Sequence, residues 1–561
     1  MKRDISSLAE IEFDLIVVGG GMFGVCAAWD AALRGLSVAI VEKGDFCQAT
    51  SANHYKMVHG GIRYLQHADF YRVRESSRER SALLRIAPHL VHPLPIVIPT
   101  YGFGTRGKAF LSAGFFLYEL LTMDRNRGIS DPGRRIPKGQ FLTPREVIAL
   151  FPGLPDMGLT GGAILNEGQY YNPPRIALSF LRSAVDVGAV AANYVEVHGF
   201  SMKGDRVTGV KVQDLLSQDK FEIRGKMVLV AGGPWSHRLL NKGLRLSLNP
   251  NPTFSRDLAF VVKRRMVKKY ALACAMRTGD QDAILDRGGR HVFLSPWRDY
   301  TLVGVWHKVF NRPPEEISVE EKELQGYIDE VNNAYPAMAL SLHDVSMINT
   351  GLTLFGSNEK QTSTKMSFGK RSRLIDHRKE HNIEGLITLI GVRATTARGM
   401  AEIAVNLVLK KLGKERGRSK TSATPIFGGK IDHFDTFLNR ALNQRPPQLS
   451  EKAMTALVRN YGSEYPRLLS YADEDPSLLQ TIGASTTIKA EIKYAVHEEI
   501  AQTLKDIVFR RTDLGTGGSP AEEALKISAD LTAKELNWDA EKADIEFQEV
   551  KNVIQRLGFL T

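Results

Sequence analysis

The sequence contains few cysteines and no long apolar run, and both absences exclude classes of protein. Its three cysteines, Cys26, Cys47 and Cys274, share no CxxC spacing, so no disulfide framework is expected. Cys26 and Cys47 stand in an apolar pattern and are predicted to be buried. No apolar run reaches the length of a membrane span, and residues 1–14 lack the apolar region of a signal peptide. We therefore predict a cytoplasmic protein that neither spans a membrane nor is secreted.

Patterns typical of nucleic-acid binding are also missing, although the chain is basic. The formal net charge is +12 over 561 residues, and the isoelectric point is near 9.4. No zinc-finger, RNP or basic-arm pattern accompanies this charge. We expect the charge to serve a small anionic substrate or an anionic lipid surface, and no nucleic acid. The length predicts two to four domains.

The chain opens with an apolar strand, a glycine turn and a helical pattern. Residues 15–18 run into Gly19 and Gly21, and a second apolar run ends at Glu42. Gly19 permits a tight turn, Gly21 leaves room for a pyrophosphate, and Gly24 lets the helix pack close to the strand. The helix N-terminus favours phosphate, and Glu42 is suited to bind a ribose 2′-hydroxyl, which disfavours NADP. This unit predicts a dinucleotide site.

Three later stretches favour FAD over NAD as the dinucleotide. Residues 44–65 are rich in glycine and small polar residues, as in an extended connection along a long cofactor. Residues 225–233 form a second buried strand that ends in glycines, and residues 383–396 form a third strand that leads through a glycine to a helix start. The dipole of that helix can stabilise an anionic reduced flavin. The further residues assigned to the cofactor are Thr50, Ser51, Gly60, Gly61, Gly232, Gly391, Thr395 and Thr396.

Four stretches are specific enough to identify a resemblance. They are "ATSANHYKMVHGGIRYL" (49–65), "AGGPW" (231–235), "LSPWRDYTLVG" (294–304) and "YAVHEEIAQTLKDIVFRRTDLG" (494–515). Together they resemble the FAD-dependent glycerol-3-phosphate dehydrogenase family. The resemblance implies an α/β fold with a glutathione-reductase-like FAD-binding Rossmann domain, an inserted antiparallel substrate-binding sheet and a C-terminal helical domain. It also implies oxidation of glycerol 3-phosphate to dihydroxyacetone phosphate by hydride transfer to flavin N5, with quinone or oxygen as electron acceptor.

The resemblance also implies substrate contacts at individual positions. Arg63 and Tyr64 match the family's "GGLRYL" motif. Arg393 stands at the lysine of the family's "GGKLTTYR" motif, and Arg371 matches the family's arginine 22 residues before that lysine. Arg63 is counted with the catalytic residues as a substrate clamp, and its alternative role is a surface or flavin-phosphate contact. These cationic side chains predict an anionic substrate.

The chain departs from the family pattern in the substrate pocket. Thr353 stands where the family has a phosphate-binding arginine, and "GVWH" (304–307) replaces "GTTD", which places Trp306 and His307 near the expected substrate. The histidine of the family's "GSH" strand is replaced within residues 255–262. Two interpretations stay open. The first is oxidation of glycerol 3-phosphate or a close phosphorylated polyol, and the second is a sister flavoenzyme for a different alcohol, hydroxy acid or amine.

Oxidation of an alcohol requires a base near the substrate hydroxyl. His59, in "VHGG", and His307, in "VWHK", are the candidates, and the alternative for each is a structural hydrogen-bond role. No metal site is predicted.

The order of the strands predicts the domain organisation. Residues 1–412 form a discontinuous FAD-binding domain, with substrate-binding segments at about 66–200 and 250–380. Residues 413–429 have linker composition, and residues 430–561 show the helical periodicity of a C-terminal cap. A homodimer is left open.

One further segment bears on membrane contact. The helical pattern at 106–128 carries Phe110, Phe115, Phe116 and Leu120 between basic ends. It is typical of a helix that dips into a membrane and also of a core helix. The peripheral membrane habit of the family favours the first interpretation, on the inner face of the cytoplasmic membrane.

Overall fold

The computed structural model describes residues 1–102, 108–248, 252–279, 289–355, 371–415 and 417–556. The strands are β1 (Glu12–Val18), β2 (Val38–Val41), β3 (Met57–Val58), β4 (Val91–Tyr101), β5 (Gln140–Leu142), β6 (Leu159–Tyr170), β7 (Val190–Ala192), β8 (Val195–Lys203), β9 (Arg206–Asp214), β10 (Lys220–Val230), β11 (Thr253–Val262), β12 (Ala271–Gly279), β13 (Gly289–Trp297), β14 (Tyr300–Phe310), β15 (Val345–Phe355), β16 (Arg373–Asp376) and β17 (Leu386–Ile390). The helices are α1 (Ile5–Glu10), α2 (Met22–Leu33), α3 (Phe70–Ile86), α4 (Lys108–Leu121), α5 (Pro144–Leu150), α6 (Pro173–Val185), α7 (Ser236–Leu244), α8 (Glu321–Ala334), α9 (His377–His381), α10 (Ala397–Lys411), α11 (Phe434–Asn443), α12 (Glu451–Tyr461), α13 (Tyr465–Leu469), α14 (Lys489–Glu499), α15 (Leu504–Asp506), α16 (Glu522–Leu536) and α17 (Ala540–Arg556).

The first sheet has a parallel centre in the order β17-β10-β1-β2-β7. β16 pairs antiparallel with β17 at one edge, and the β8–β9 hairpin extends β10. The centre is buried on both faces, which explains why β1 and β2 read as continuous apolar runs. The helices α2, α6 and α10 pack together on one face. All three cysteines are buried, which confirms the prediction for Cys26 and Cys47.

The second sheet has the order β15-β11-β14-β13-β12-β4-β6-β3, with β5 paired to β6. All its described pairs are antiparallel except β12–β4. Successive side chains of a strand point to opposite faces, so one face packs on α8 while the other faces a cavity. This sheet corresponds to the antiparallel sheet that the sequence predicts to bind substrate, and it is called the substrate-binding sheet after that prediction.

The sheets divide the chain differently from the predicted segment boundaries. β7 lies within the predicted substrate segment 66–200 and β8 begins within it, but both belong to the first sheet, as does β16 within 250–380. β3 precedes residue 66 but belongs to the second sheet. Neighbouring strands that belong to different sheets do not differ in composition, so the sequence does not show where the chain passes from one sheet to the other. The hydrogen-bond partners of each strand correct the predicted segment boundaries.

The segment 413–429, predicted as a linker, is packed against the FAD-binding domain. Ile426 is buried, and the backbone N–H of Phe427 donates to Ser183 Oγ at 2.7 Å. The Ser419 hydroxyl donates to Asp30. The polar composition that predicts a linker thus includes residues, such as Ser419, that attach this segment to the FAD-binding domain by hydrogen bonds.

Beyond residue 430 the described elements are helices, as predicted for the cap. This domain is tied to the first unit by a buried ion cluster, in which Arg511 donates to both oxygens of Asp45 at 2.6 and 2.7 Å and Arg510 also donates to Asp45. Burial opposes ionisation of Asp45, but the two arginines hold its pKa well below the usual range. The cap therefore docks through charge directly beside the predicted cofactor unit.

Candidate active site

The glycine turn after β1 has the close packing that its sequence predicts. Gly19 has φ +109°, and a Cβ there would lie 2.7 Å from Ala231 O. A Cβ on Gly24 would lie 1.9 Å from Gly19 O, so α2 approaches the turn through this residue. Gly21 is the N-cap of α2. The N–H of Met22 donates to Ser51 Oγ at 2.9 Å, which couples the helix start to the following connection.

Glu42 follows β2 and holds this turn in place. One carboxylate oxygen accepts the N–H of Gly20 at 2.8 Å, and the other accepts the N–H of Gly44 at 3.0 Å. Burial raises the pKa of Glu42, and the two backbone hydrogen bonds oppose that rise. The side chain also lines the cavity. From this one position Glu42 can hold the turn and also make the predicted contact with a ribose.

A cavity of about 1570 Å³ runs from the glycine turn to the substrate-binding sheet. Sites for drug-sized ligands measure about 300–1,000 Å³, so this volume accommodates a dinucleotide and a small substrate together. Of the residues predicted from sequence, the structure brings together along its walls Gly19, Gly21, Glu42, Thr50, Ser51, His59, Arg63, Tyr64, Gly232, His307, Thr353, Gly391, Arg393 and Thr395.

Thr50 joins the two sheets at this cavity. Its hydroxyl donates to Leu352 O at 3.1 Å and accepts the N–H of Leu352 at 3.0 Å. This two-way contact fixes β15, and therefore Thr353, against the glycine-rich connection.

Four residues assigned to the cofactor support the walls without lining them. Gly24 packs on the turn, and a Cβ on Gly60 would lie 2.0 Å from Arg80 Nη1. Gly61 has φ +90° and lies against α3. Thr396 is buried, and its hydroxyl donates to Arg393 O at 3.2 Å. Their small size or hydrogen bonding shapes the backbone that reaches the cavity.

Arg371 lies outside the cavity lining. Its side chain is exposed, and its guanidinium carbon is 4.7 Å from the ring centroid of Tyr71. The matched spacing located this arginine in the sequence but carried no information on the direction of its side chain.

His59 is held by a buried carboxylate that sequence analysis missed. Its Nδ1 lies 3.1 Å from Glu167 Oε1, and its backbone N–H donates to Thr395 Oγ1 at 3.1 Å. Arg80 donates to Glu167 Oε2 at 2.9 Å, and the N–H of Gly60 donates to the same oxygen. Burial opposes ionisation of Glu167, but His59, Arg80 and these hydrogen bonds bring its pKa below the usual value. The carboxylate is therefore ionised and fixed in orientation.

Tyr64 lies between cationic groups at the same end of the cavity. The guanidinium carbons of Arg72 and Arg393 are 4.8 and 4.9 Å from its ring centroid, and the His59 ring centroid is 5.7 Å from that of Tyr64. Arg63 also lines the cavity here. This end is suited to an anion.

His307 faces the cavity from the substrate-binding sheet. It stands opposite Asp257 in the β11–β14 register, and its Nδ1 lies 2.7 Å from Asp257 Oδ1. Asp257 also accepts the hydroxyl of Ser255 at 2.8 Å. The structure thus offers two histidine–carboxylate pairs, both carried by the second sheet: His59 follows β3 and meets Glu167 on β6, and His307 on β14 meets Asp257 on β11.

The expectation that Trp306 lies near the substrate is wrong. Its ring stacks between Phe260 and Tyr327, at centroid distances of 5.7 and 4.5 Å, and its Nε1–H donates to Glu330 Oε2 at 2.7 Å. Adjacent residues of a strand face opposite sides. Because His307 faces the cavity, Trp306 must face α8.

Comparisons with known proteins were made for the whole chain. A family model described as FAD dependent oxidoreductase matches residues 14–404, and a model for the C-terminal domain of alpha-glycerophosphate oxidase matches residues 419–543. A probable mitochondrial glycerol-3-phosphate dehydrogenase of Dictyostelium discoideum is 31% identical, over 98% of this chain and 84% of that protein. The chain belongs to the FAD-dependent glycerol-3-phosphate dehydrogenase family of oxidoreductases.

Other members agree with this assignment. The glycerol-3-phosphate dehydrogenase of Synechocystis sp. is 29% identical, over 99% of this chain and 98% of that protein. The crystal structure of the glycerol-3-phosphate dehydrogenase from Bacillus halodurans complexed with FAD has the same fold, with a TM-score of 0.78, 23% identity and coverage of 99% of this chain and 97% of that chain. The predicted family, fold and FAD cofactor are confirmed.

The residues of the cavity fit the FAD that the family uses. A Cβ on Gly19 or Gly24 would collide with backbone, so the turn after β1 has the tight packing between strand and helix that a dinucleotide-binding turn requires. Gly391 follows β17 at the other end of the cofactor path, and a Cβ there would lie 2.0 Å from the Phe23 ring. The 3₁₀ turn Ala394–Thr396 then leads into α10, which directs its positive dipole end toward this region.

Proposed function

We propose that this family member oxidises sn-glycerol 3-phosphate to dihydroxyacetone phosphate, with FAD as hydride acceptor. The observation that carries the proposal is one continuous cavity. It joins the dinucleotide turn at Gly19 to an end that Arg63 lines, where Arg72 and Arg393 lie against Tyr64 beside a carboxylate-bound histidine. A phosphate at the cationic end would leave the carbinol carbon of a three-carbon substrate within reach of that histidine.

His59 is the proposed base. With Nδ1–H donated to the ionised Glu167, the tautomer leaves Nε2 as an acceptor for the proton of the substrate hydroxyl. Arg80 and Gly60 fix Glu167, and Thr395 fixes the His59 backbone, so the imidazole is oriented before substrate arrives. FAD, when bound, supplies the hydride acceptor.

A second candidate function is favoured by one observation. Thr353 lines the cavity without the positive charge that the family has at its position. This replacement supports a sister flavoenzyme that oxidises another alcohol, a hydroxy acid or an amine, with oxygen as an alternative acceptor.

Anaerobic reduction of the bound flavin distinguishes these functions. We expect glycerol 3-phosphate to bleach the visible flavin absorbance rapidly, and glycerol to do so far more slowly, because only the phosphorylated substrate satisfies the cationic end. The control is dithionite, which reduces any accessible flavin. Bleaching by a hydroxy acid or amine, but not by glycerol 3-phosphate, would replace the first function with the second. Adding a soluble quinone or oxygen to the reduced protein then identifies the acceptor by the faster return of absorbance.

Quinone at a membrane surface is the proposed acceptor, and α4 is the proposed contact. Phe115 is buried, whereas Phe116 and Leu120 are 75% and 53% exposed, and Met123, just after the helix, is 71% exposed. The Phe110 side chain lies outside the described residues. The helix therefore has features of both the core helix and the membrane-dipping helix that the sequence allows, because one face is buried and the other is apolar and exposed. No helix in the described ranges is long and apolar enough to cross a bilayer.

Binding to anionic vesicles tests this contact. We expect the F116S/L120S double variant to lose most of its cosedimentation with phosphatidylglycerol vesicles, because about 0.8 kcal/mol is forfeited per CH₂ group that no longer enters the bilayer. The control is I545S, which removes a similarly exposed apolar side chain on α17. Equal sedimentation of the double variant and the wild-type protein would exclude α4 as the contact.

A further inference from the structure

The two arginines beside Tyr64 differ in how their hydrogen-bonding capacity is used. Arg393 Nη1 donates to Ser76 Oγ at 2.6 Å, and its Nη2 donates to Glu75 Oε2 at 2.8 Å. The Glu75 carboxylate also balances the charge of Arg393. Both terminal nitrogens of Arg393, the position that family resemblance assigns to substrate, are thus engaged within the protein.

Arg72 has the opposite arrangement. Its side chain is only 7% exposed and lines the cavity. Asp69 Oδ2 lies 3.2 Å from its Nε, while Asp69 Oδ1 caps α3 by accepting the N–H of Arg72 at 3.1 Å. The Nε contact is an ion pair: neither Nε nor the buried Nη2 has a hydrogen-bond partner among the residues that the structure describes. A buried donor without a partner is costly unless a ligand satisfies it.

The position of Arg72 suits it to an oxyanion. Its guanidinium rests on the Tyr64 ring and forms an ion pair with Asp69 at its Nε end, so packing and charge preorganise the terminal nitrogens. Arg63 and Tyr64 line the same part of the cavity. Because Thr353 carries no charge, a cation that binds an anion in this cavity has to come from another element.

We propose that Arg72 binds the substrate phosphate and takes the role that the family gives to an arginine at position 353. The inference rests on the proposed function for the identity of the substrate. Nη2 donates to a phosphate oxygen, which satisfies the buried nitrogen, while Arg393 mainly holds Tyr64 and α3 in place. Arg72 is therefore a specificity-determining residue of this chain, selecting phosphate monoesters over uncharged alcohols.

Inorganic phosphate and substrate together test the assignment in the holoenzyme. Phosphate binding is measured from the perturbation of the flavin spectrum, and flavin reduction by glycerol 3-phosphate is followed under anaerobic conditions. We expect R72M to weaken phosphate binding and raise the half-saturating substrate concentration by about ten- to a hundredfold. The reduction rate at saturating substrate should change much less, because the contact is present before and during the reaction.

Three further variants show whether the effect is specific to Arg72. R78M removes an exposed arginine from the same helix and should behave as wild type, and R72K should recover part of the affinity because it restores the charge without the planar fork. R393M should weaken phosphate binding less than R72M does. Unchanged phosphate affinity in R72M, or a larger decrease in R393M, would overturn the proposal.

Two safeguards separate the possible failures. If R72M does not fold with its flavin, R72Q replaces it, and wild-type phosphate affinity in R72Q would equally refute the role of Arg72. If glycerol 3-phosphate fails to reduce the wild-type flavin, the proposed function is wrong. The phosphate titrations of the wild-type protein and R72M still decide whether Arg72 is an anion contact.

Discussion

Replacing Gly24 with alanine is expected to yield a folded protein that has largely lost FAD. The added Cβ would lie 1.9 Å from Gly19 O, and this neighbour is backbone, so either the turn or α2 must move. Overpacking of this kind costs about 1–3 kcal/mol. Because the displaced turn is the one that would face the pyrophosphate, we expect FAD affinity to fall about ten- to a hundredfold. Titration of the apoprotein with FAD, followed by flavin fluorescence, measures the change.

The matched control is Gly326→Ala in α8. No atom lies within 4 Å of a Cβ at Gly326, and alanine is a better helix former than glycine by about 1 kcal/mol. This variant should bind FAD as the wild-type protein does and unfold at the same or a slightly higher temperature. Wild-type FAD affinity in G24A would show that the turn does not hold the cofactor where we place it.

The FAD-binding unit could be predicted because its constraints are local. Gly19, Gly21 and Gly24 fall within six residues of one another; the positive φ of Gly19 and the approach of Gly24 to Gly19 O are constraints inside one strand, one turn and one helix. The continuous apolar runs of β1 and β2 likewise follow from burial on both faces. Such a unit can be recognised from the order of its residues alone.

The substrate end could not be derived in the same way, because its contacts join distant parts of the chain. Glu167 reaches His59 across 108 positions, and Arg393 reaches Ser76 across 317. In the sequence, Arg72 is one of several basic residues in a polar helix. What distinguishes Arg72 is a buried nitrogen that has no hydrogen-bond partner among the described residues. This can be recognised only when the residues around Arg72 are known.

Strand alternation accounts for the error at Trp306. The motif "GVWH" was informative about position, but only one of its last two residues can face the cavity. The structure selects His307, whose neighbour across the sheet is Asp257. The departure on β14 therefore contacts β11, the strand that carries the other departure, so the two departures lie on neighbouring strands of one sheet.

Asparagine at position 59 should separate chemistry from binding. Its side-chain amide can keep a hydrogen bond to Glu167 but cannot accept a proton, so His59→Asn removes the proposed base with little change of shape. We expect the rate of flavin reduction by saturating glycerol 3-phosphate to fall about 10²- to 10⁴-fold, while FAD content and phosphate affinity stay close to wild type. The acid limb of the pH–rate profile should also disappear, because no group that accepts a proton is left at position 59.

His307→Asn is the matched comparison, since it changes the other histidine–carboxylate pair that lines the cavity. His307 lies on β14 of the substrate-binding sheet, whereas His59 follows β3 at the edge of that sheet and is bound through Thr395 to the junction that leads into α10. A base must meet the substrate hydroxyl beside the hydride acceptor, so H307N should affect the half-saturating substrate concentration more than the limiting rate. A larger decrease of the limiting rate in H307N than in H59N, with the pH dependence retained in H59N, would transfer the role of base to His307. Asp257 would then be the carboxylate that orients it.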